Sequence, residues 1–173
     1  MKLSAKACRP FFDAVEEKSK EMGVAVTTAV VGPEGNLIAL ERMDGAGFIT
    51  PDTAIAKAYT VAAFRSMSPR FPDGLVIQQW FKERNPQLMA NASVFTNGKI
   101  AASGGSHPIF HGNEMIGAYA VSGATSNQDE EIADYARNKV GWAKTAADDT
   151  VSEGVKKHIN ELYEKAGIRD RKL

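Results

Sequence analysis

The sequence predicts an α+β domain whose strands form an antiparallel sheet. Most candidate strands are joined by short turns, which link antiparallel neighbours; parallel strands need long crossovers. The order of patterned segments is helix, two strands, two helices, three strands, two helices, a layout of the α+β class. A length of 173 residues suits one domain with a good-sized core.

The elements follow from local signals. Ser4 caps a first helix to about Met22, with Ala7, Phe11, Ala14 and Val15 at helical spacing and Gly23 as its stop. Residues 24–31 are β-branched and read as a strand; 32–36 form a turn and 37–41 the returning strand. Thr50 as N-cap and Pro51 at the first helical position open a helix to about Arg65. It is rich in alanine, which permits close packing. Asp73 caps a shorter helix carrying Leu75, Val76, Trp80 and Phe81, and Asn85-Pro86 ends it. Residues 88–95 show no clear pattern. Asn97-Gly98 is a hairpin signal, so 100–103 read as a strand feeding Gly104-Gly105. His111-Gly-Asn-Glu114 reads as a turn and 115–121 as a buried strand. Ser126-x-x-Asp129 opens a helix reaching Ala143, with Asp129, Glu130 and Glu131 at its positive end. After a polar break at 148–152, Ser152 starts a last helix with Val155, Ile159 and Leu162 inward. The expected division is a domain over 1–147 and a helical extension over 148–173.

Composition narrows the functional classes. There are 21 basic and 21 acidic side chains, so no nucleic-acid footprint is expected. Cys8 is the only cysteine, which precludes an internal disulfide. No apolar run approaches a membrane span, and the first ten residues lack a signal-peptide pattern. The expectation is a cytoplasmic protein without nucleic-acid or membrane partners.

Candidate chemistry centres on residues 101–129. Gly104-Gly105 offers consecutive N–H groups, either as an anion nest or as a bulge that lets a helix approach. His107 suits a general acid/base or a ligand contact, or is a buried histidine satisfied by a backbone carbonyl. His107, His111 and Glu114 are metal-ligand types for zinc or iron, although a strand-turn segment does not force them to converge. Arg42 suits a carboxylate and Asp44 would hold it; a structural salt bridge is the alternative. Lys57 lines the same pocket or is a solvated helix residue. The expectation is that His107, Arg42 and the Gly104-Gly105 backbone face one cavity.

Five motifs occur in order: Arg42-Met-Asp-Gly-Ala46, Ala56-Lys-Ala-Tyr-Thr60, Gly104-Gly105 with Pro108-Ile109, Gly117-Ala-x-x-Val-Ser-Gly123, and Gln128-Asp129. Together they resemble the GlcG/HbpS-like family, which includes the C-terminal domain of PduO-type proteins. The resemblance covers about residues 4–143. It implies a profilin-like fold with a five-stranded antiparallel sheet flanked by helices, commonly in homo-oligomers. It also implies small-ligand binding, with haem or a corrinoid-related ligand in some members. The chain departs from the pattern at His107, where an apolar residue is usual, and at Ala120, where glycine is common. The first helix has no histidine, and the last helix is an addition.

Three functions remain open from the sequence. One is a small-ligand-binding protein with haem as the favoured ligand; its iron would be held by His107, His111 or another polar residue near the site, not by Cys8. Another is an enzyme acting on a small carboxylic acid by proton transfer, with His107 as acid/base and Arg42 holding the carboxylate. The third is an accessory subunit that stabilises a partner. A pocket close to a subunit boundary is expected.

Overall fold

The fold is given by a computed structural model that describes residues 3–147 and 153–168. The elements are α1 (Ala5–Glu21), β1 (Thr27–Val31), β2 (Leu37–Arg42), α2 (Thr50–Met67), α3 (Gly74–Arg84), α4 (Pro86–Phe95), β3 (Ser106–His111), β4 (Glu114–Ser122), α5 (Ser126–Val140) and α6 (Glu153–Lys165). Among the described residues one antiparallel sheet has four strands, in the order β2-β1-β4-β3.

The expected fifth strand is absent from the described residues, for a local reason. Asn85 accepts a hydrogen bond from Leu88 N, and Pro86 follows at the helix start, so residues 86–95 continue as α4. Asn97 and Gly98 then take left-handed angles that end this helix rather than turn a hairpin. Residues 100–103 run on as an irregular connection, with Ala101 N bonded to Thr60 Oγ1. Two caps also differ. Thr50 lies inside α2, where its hydroxyl donates to Gly47 O. Thr125, not Ser126, caps α5, in a capping box with Gln128. Ser152 and the break before it lie outside the described residues.

Side-chain alternation divides the core between two faces. Val30, Ile109, Tyr119 and Val121 point to the face covered by α1 and α5. There Phe11 packs against Tyr119 and stacks on Trp142, with ring centroids 4.5 and 4.6 Å apart. Val31, Ala118 and Ala120 point to the other face, against Ala58, Val61 and Ala62 of α2. Alanine on both surfaces lets α2 lie close to the sheet. The α6 helix packs Ile159, Leu162 and Tyr163 against Val76 of α3. Burying one such aliphatic side chain stabilises by roughly 1.5–3 kcal/mol before ordering costs. Beyond α5, Ala143 pairs with the outer edge of β3, where Phe110 N donates to Ala143 O at 2.8 Å.

Candidate functional site

The sheet separates the residues expected to share a cavity. His107 lies opposite Tyr119 and points to the α1/α5 face. Arg42 lies opposite Thr27, which lies opposite Ser122, and this row belongs to the α2 face. Arg42 and His107 also occupy opposite edge strands, roughly 17 Å apart for ordinary strand spacing and rise. Arg42 is exposed and donates to Ala46 O, closing its own loop; Asp44 is exposed in that loop. The expected shared cavity of His107 and Arg42 is therefore corrected. The set His107, His111 and Glu114 is corrected too. His107 is fully buried, whereas His111 and Glu114 are exposed at the hairpin tip.

Gly104, Gly105, Lys57 and His107 instead belong to a buried polar belt where α2, β3 and β4 meet the start of α5. Gly105 has φ 80°, and a Cβ on it would lie 2.7 Å from Asp129 Cβ. Only glycine fits this approach to α5 without strain. The two N–H groups do face acceptors, but these are the chain's own. Gly104 N donates to Ser126 Oγ at 3.0 Å, and Gly105 N donates to a carboxylate oxygen of Glu130.

On one side of the belt, Lys57 Nζ lies 3.0 Å from Asp129 Oδ2 and donates to Val121 O at 2.5 Å. Both side chains are buried. Asp129 Oδ1 accepts from Ala124 N at 3.0 Å. Burial draws the Lys57 ammonium below the ordinary lysine range, against the opposing pull of Asp129. Burial likewise draws the Asp129 carboxyl upward, against Lys57 and the backbone N–H groups of Ala124 and Gly123.

On the other side are Asp73, His107 and Glu130, all buried, each with a ligand-type atom within 4.8 Å of the others'. His107 Nε2 is 2.9 Å from Glu130 Oε1, but the oxygen lies off the N–H direction; neither ring nitrogen makes a hydrogen bond among the described residues. Asp73 caps α3 through Oδ1, accepting from Val76 N at 3.0 Å, and its Oδ2 accepts from the Tyr163 hydroxyl of α6. Burial and the neighbouring Asp73 carboxylate hold the Tyr163 phenol well above its ordinary range, so it stays protonated as the donor.

Sequence reading missed Asp73, Glu130 and Tyr163 as members of this belt. Asp73 was legible only as a cap. Glu130 had a usable signal: it sits three residues before Ala133 on the inward stripe of α5, where a carboxylate needs a buried partner.

Two open cavities lie at the other end of the molecule, around the β1–β2 turn. One, of about 470 Å³, is lined by Leu3, Ile38, Ile116, Glu34 and Glu114 among others. The second, of about 530 Å³, has Leu37, Ile55 and Ala56 as an apolar wall and Tyr59 and Lys99 as polar groups, with Glu34 and Asp52 also on its lining. The Tyr59 ring is held closely: a Cβ on Gly35 would come within 2.4 Å of it, and Lys99 Nζ stands 5.6 Å from the ring centre.

Comparison with known proteins places this fold. Residues 3–138 match the family model described as "Haem degrading protein HbpS-like". The chain belongs to the HbpS-like family. It is 30% identical over 135 residues to an uncharacterized 15.0 kDa protein in the dhaT-dhaS intergenic region of Citrobacter freundii, covering 78% of this chain and 89% of that one. The crystal structure of a PduOC:heme complex superposes with a TM-score of 0.69 at 20% identity, covering 84% of this chain and 99% of that one. The Klebsiella pneumoniae protein ORFY superposes with a TM-score of 0.67 at 25% identity, covering 80% and 90%. Within the HbpS-like family match lie α1 through most of α5; α6 lies beyond it. No helix among the described residues is long and apolar enough to cross a membrane.

Proposed function

We propose that this chain binds haem, or a planar anionic ligand like it, in the open groove of Tyr59 and Lys99. The family description names haem, and a similar fold has been crystallised with it. The observation that carries the assignment to this groove is its chemistry: an apolar wall, a phenol and a cation, beside the carboxylates of Glu34 and Asp52, around about 530 Å³. That volume lies within the usual range for small-molecule sites. The apolar wall suits a macrocycle face, Lys99 suits a propionate, and a tyrosine oxygen is a known type of axial haem ligand. The neighbouring cavity likewise has two carboxylates, Glu34 and Glu114, but no cation to offset them, which makes it the poorer site for an anionic ligand. His107 and Cys8 have no exposed surface to offer a macrocycle. His111 is exposed and is the histidine alternative as iron ligand.

Bound there, haem would supply iron-centred ligand exchange and electron transfer. The protein's part is to orient it: Gly35 seats the Tyr59 ring, and Lys99 neutralises negative charge at the rim. Leu88, Val94 and Phe95 of α4, and Phe48 and Ile49 before α2, are exposed apolar side chains. They support a homo-oligomer, the usual way to cover such surface.

Titration with hemin, followed by absorption, tests the reading. A saturable, shifted Soret band is expected, weakened in K99A and displaced in Y59F. No binding by the wild type would overturn the function. Binding that both variants leave unchanged but H111A abolishes would move the iron to the hairpin.

A further inference from the structure

The buried trio Asp73, His107 and Glu130 is unused by a ligand in the Tyr59 groove, and it has the composition of a metal centre. It joins three separate elements: the cap of α3, strand β3 and helix α5. All three residues are buried, and their ligand-type atoms lie within 4.8 Å of one another. At tetrahedral angles a zinc-class ion with bonds of about 2.0–2.2 Å holds ligand atoms roughly 3.3–3.6 Å apart, so side-chain adjustments of up to about an ångström bring all three onto one ion, with a fourth position left open.

An acidic pair alone would not argue for an ion. The independent observation is His107. Its side chain is fully buried, and neither ring nitrogen makes a hydrogen bond among the described residues. Burying an imidazole without hydrogen bonds is costly, and a metal bond through Nε2 removes the share of that cost carried by this nitrogen. The 2.9 Å approach of Nε2 to Glu130 Oε1, off the N–H direction, suits two donors converging on a third centre.

The surroundings orient the carboxylates as a metal site requires. Gly105 N–H donates to Glu130 Oε2, and Val76 N–H and the Tyr163 hydroxyl donate to the two oxygens of Asp73. Charge supports an ion as well. Two carboxylates with a neutral imidazole balance one dication. The competing cation is Lys144, whose partly buried ammonium interacts with both Asp73 and Glu130.

We propose that Asp73, His107 and Glu130 bind one divalent transition-metal ion, of the zinc or manganese class, beneath α6. One nitrogen and two carboxylate oxygens suit ions of this borderline hardness. Tyr163, on the covering helix, is a positioning residue.

The test uses the full chain purified without haem, stripped with a chelator and refilled with zinc or cobalt. About one ion per chain is expected after dialysis, with a rise in melting temperature of several degrees and a visible cobalt absorption band. H107N and E130Q should lower occupancy at least tenfold, and H111N should not. Should either variant fail to fold, X-ray absorption of the zinc-loaded wild type still reads the shell, which must contain one imidazole. An empty wild type, a shell without imidazole, or H107N binding like wild type each overturns the site. Loss in H111N but not in H107N would overturn it in favour of the hairpin.

Discussion

Replacing Lys57 by methionine isolates the buried ion pair. The substitution keeps the stem's volume but removes the charge facing Asp129 at 3.0 Å and the donor to Val121 O. Among the described residues, Asp129 then remains buried with only the backbone N–H groups of Ala124 and Gly123 as partners. Removing one member of a buried pair costs about 3–5 kcal/mol, because the other is left uncompensated. For a chain of this size that corresponds to a fall in melting temperature of roughly 6–20 °C. The pH dependence has a definite sign. Burial raises the Asp129 pKa above its unfolded value, and Lys57 opposes that rise. Without Lys57 the folded-state pKa climbs further. A carboxyl with a raised folded pKa contributes stability that is full below its unfolded pKa, about 3.9, and is lost as pH rises through the folded value. The K57M deficit should therefore be largest near pH 8 and shrink on acidification. Urea unfolding of both proteins between pH 5 and 8 measures this. A deficit below about 1 kcal/mol at pH 8, or one that widens as pH falls, would refute an uncompensated Asp129.

Gly35→Ala would push the Tyr59 ring aside and place a side chain at φ 81°; hemin affinity should fall at least tenfold while secondary structure persists in circular dichroism. Tyr163→Phe removes the hydroxyl that donates to Asp73 Oδ2, so thermal unfolding should show a loss of about 1–3 kcal/mol, with faster hydrogen exchange in α6 as the sign that the contact holds the helix down. Cys8 has no exposed surface and burial pushes its thiol up to about 11, so iodoacetamide at pH 8 should modify the unfolded chain and spare the native one.

The parts of the fold that follow local rules were legible in the sequence. Ser4 and Asp73 cap the helices they were expected to cap, and the β1–β2 hairpin follows its β-branched and turn residues. The Asn97-Gly98 signal misled because both residues accept left-handed angles, and a helix end uses such angles as readily as a hairpin does. The site was harder. His107 and Gly105 stood out as unusual residues, but their partners come from α3, α5 and α6, and sequence order carries no record of which side chains a sheet brings face to face. The pairing register decides that Arg42 and His107 lie on opposite faces, and register is a long-range property.

The family match stops at residue 138, but the fold does not. Trp142 shields the face of Phe11, Ala143 occupies the outer edge of β3, and Tyr163 reaches back to Asp73. A fragment excised at the family boundary would bare an aromatic ring, an unpaired strand edge and a buried acid together. The first two are templates for self-association. Recombinant fragments of this protein should therefore run past Ile168, and insolubility of a shorter piece would report the missing cover rather than an unfoldable domain.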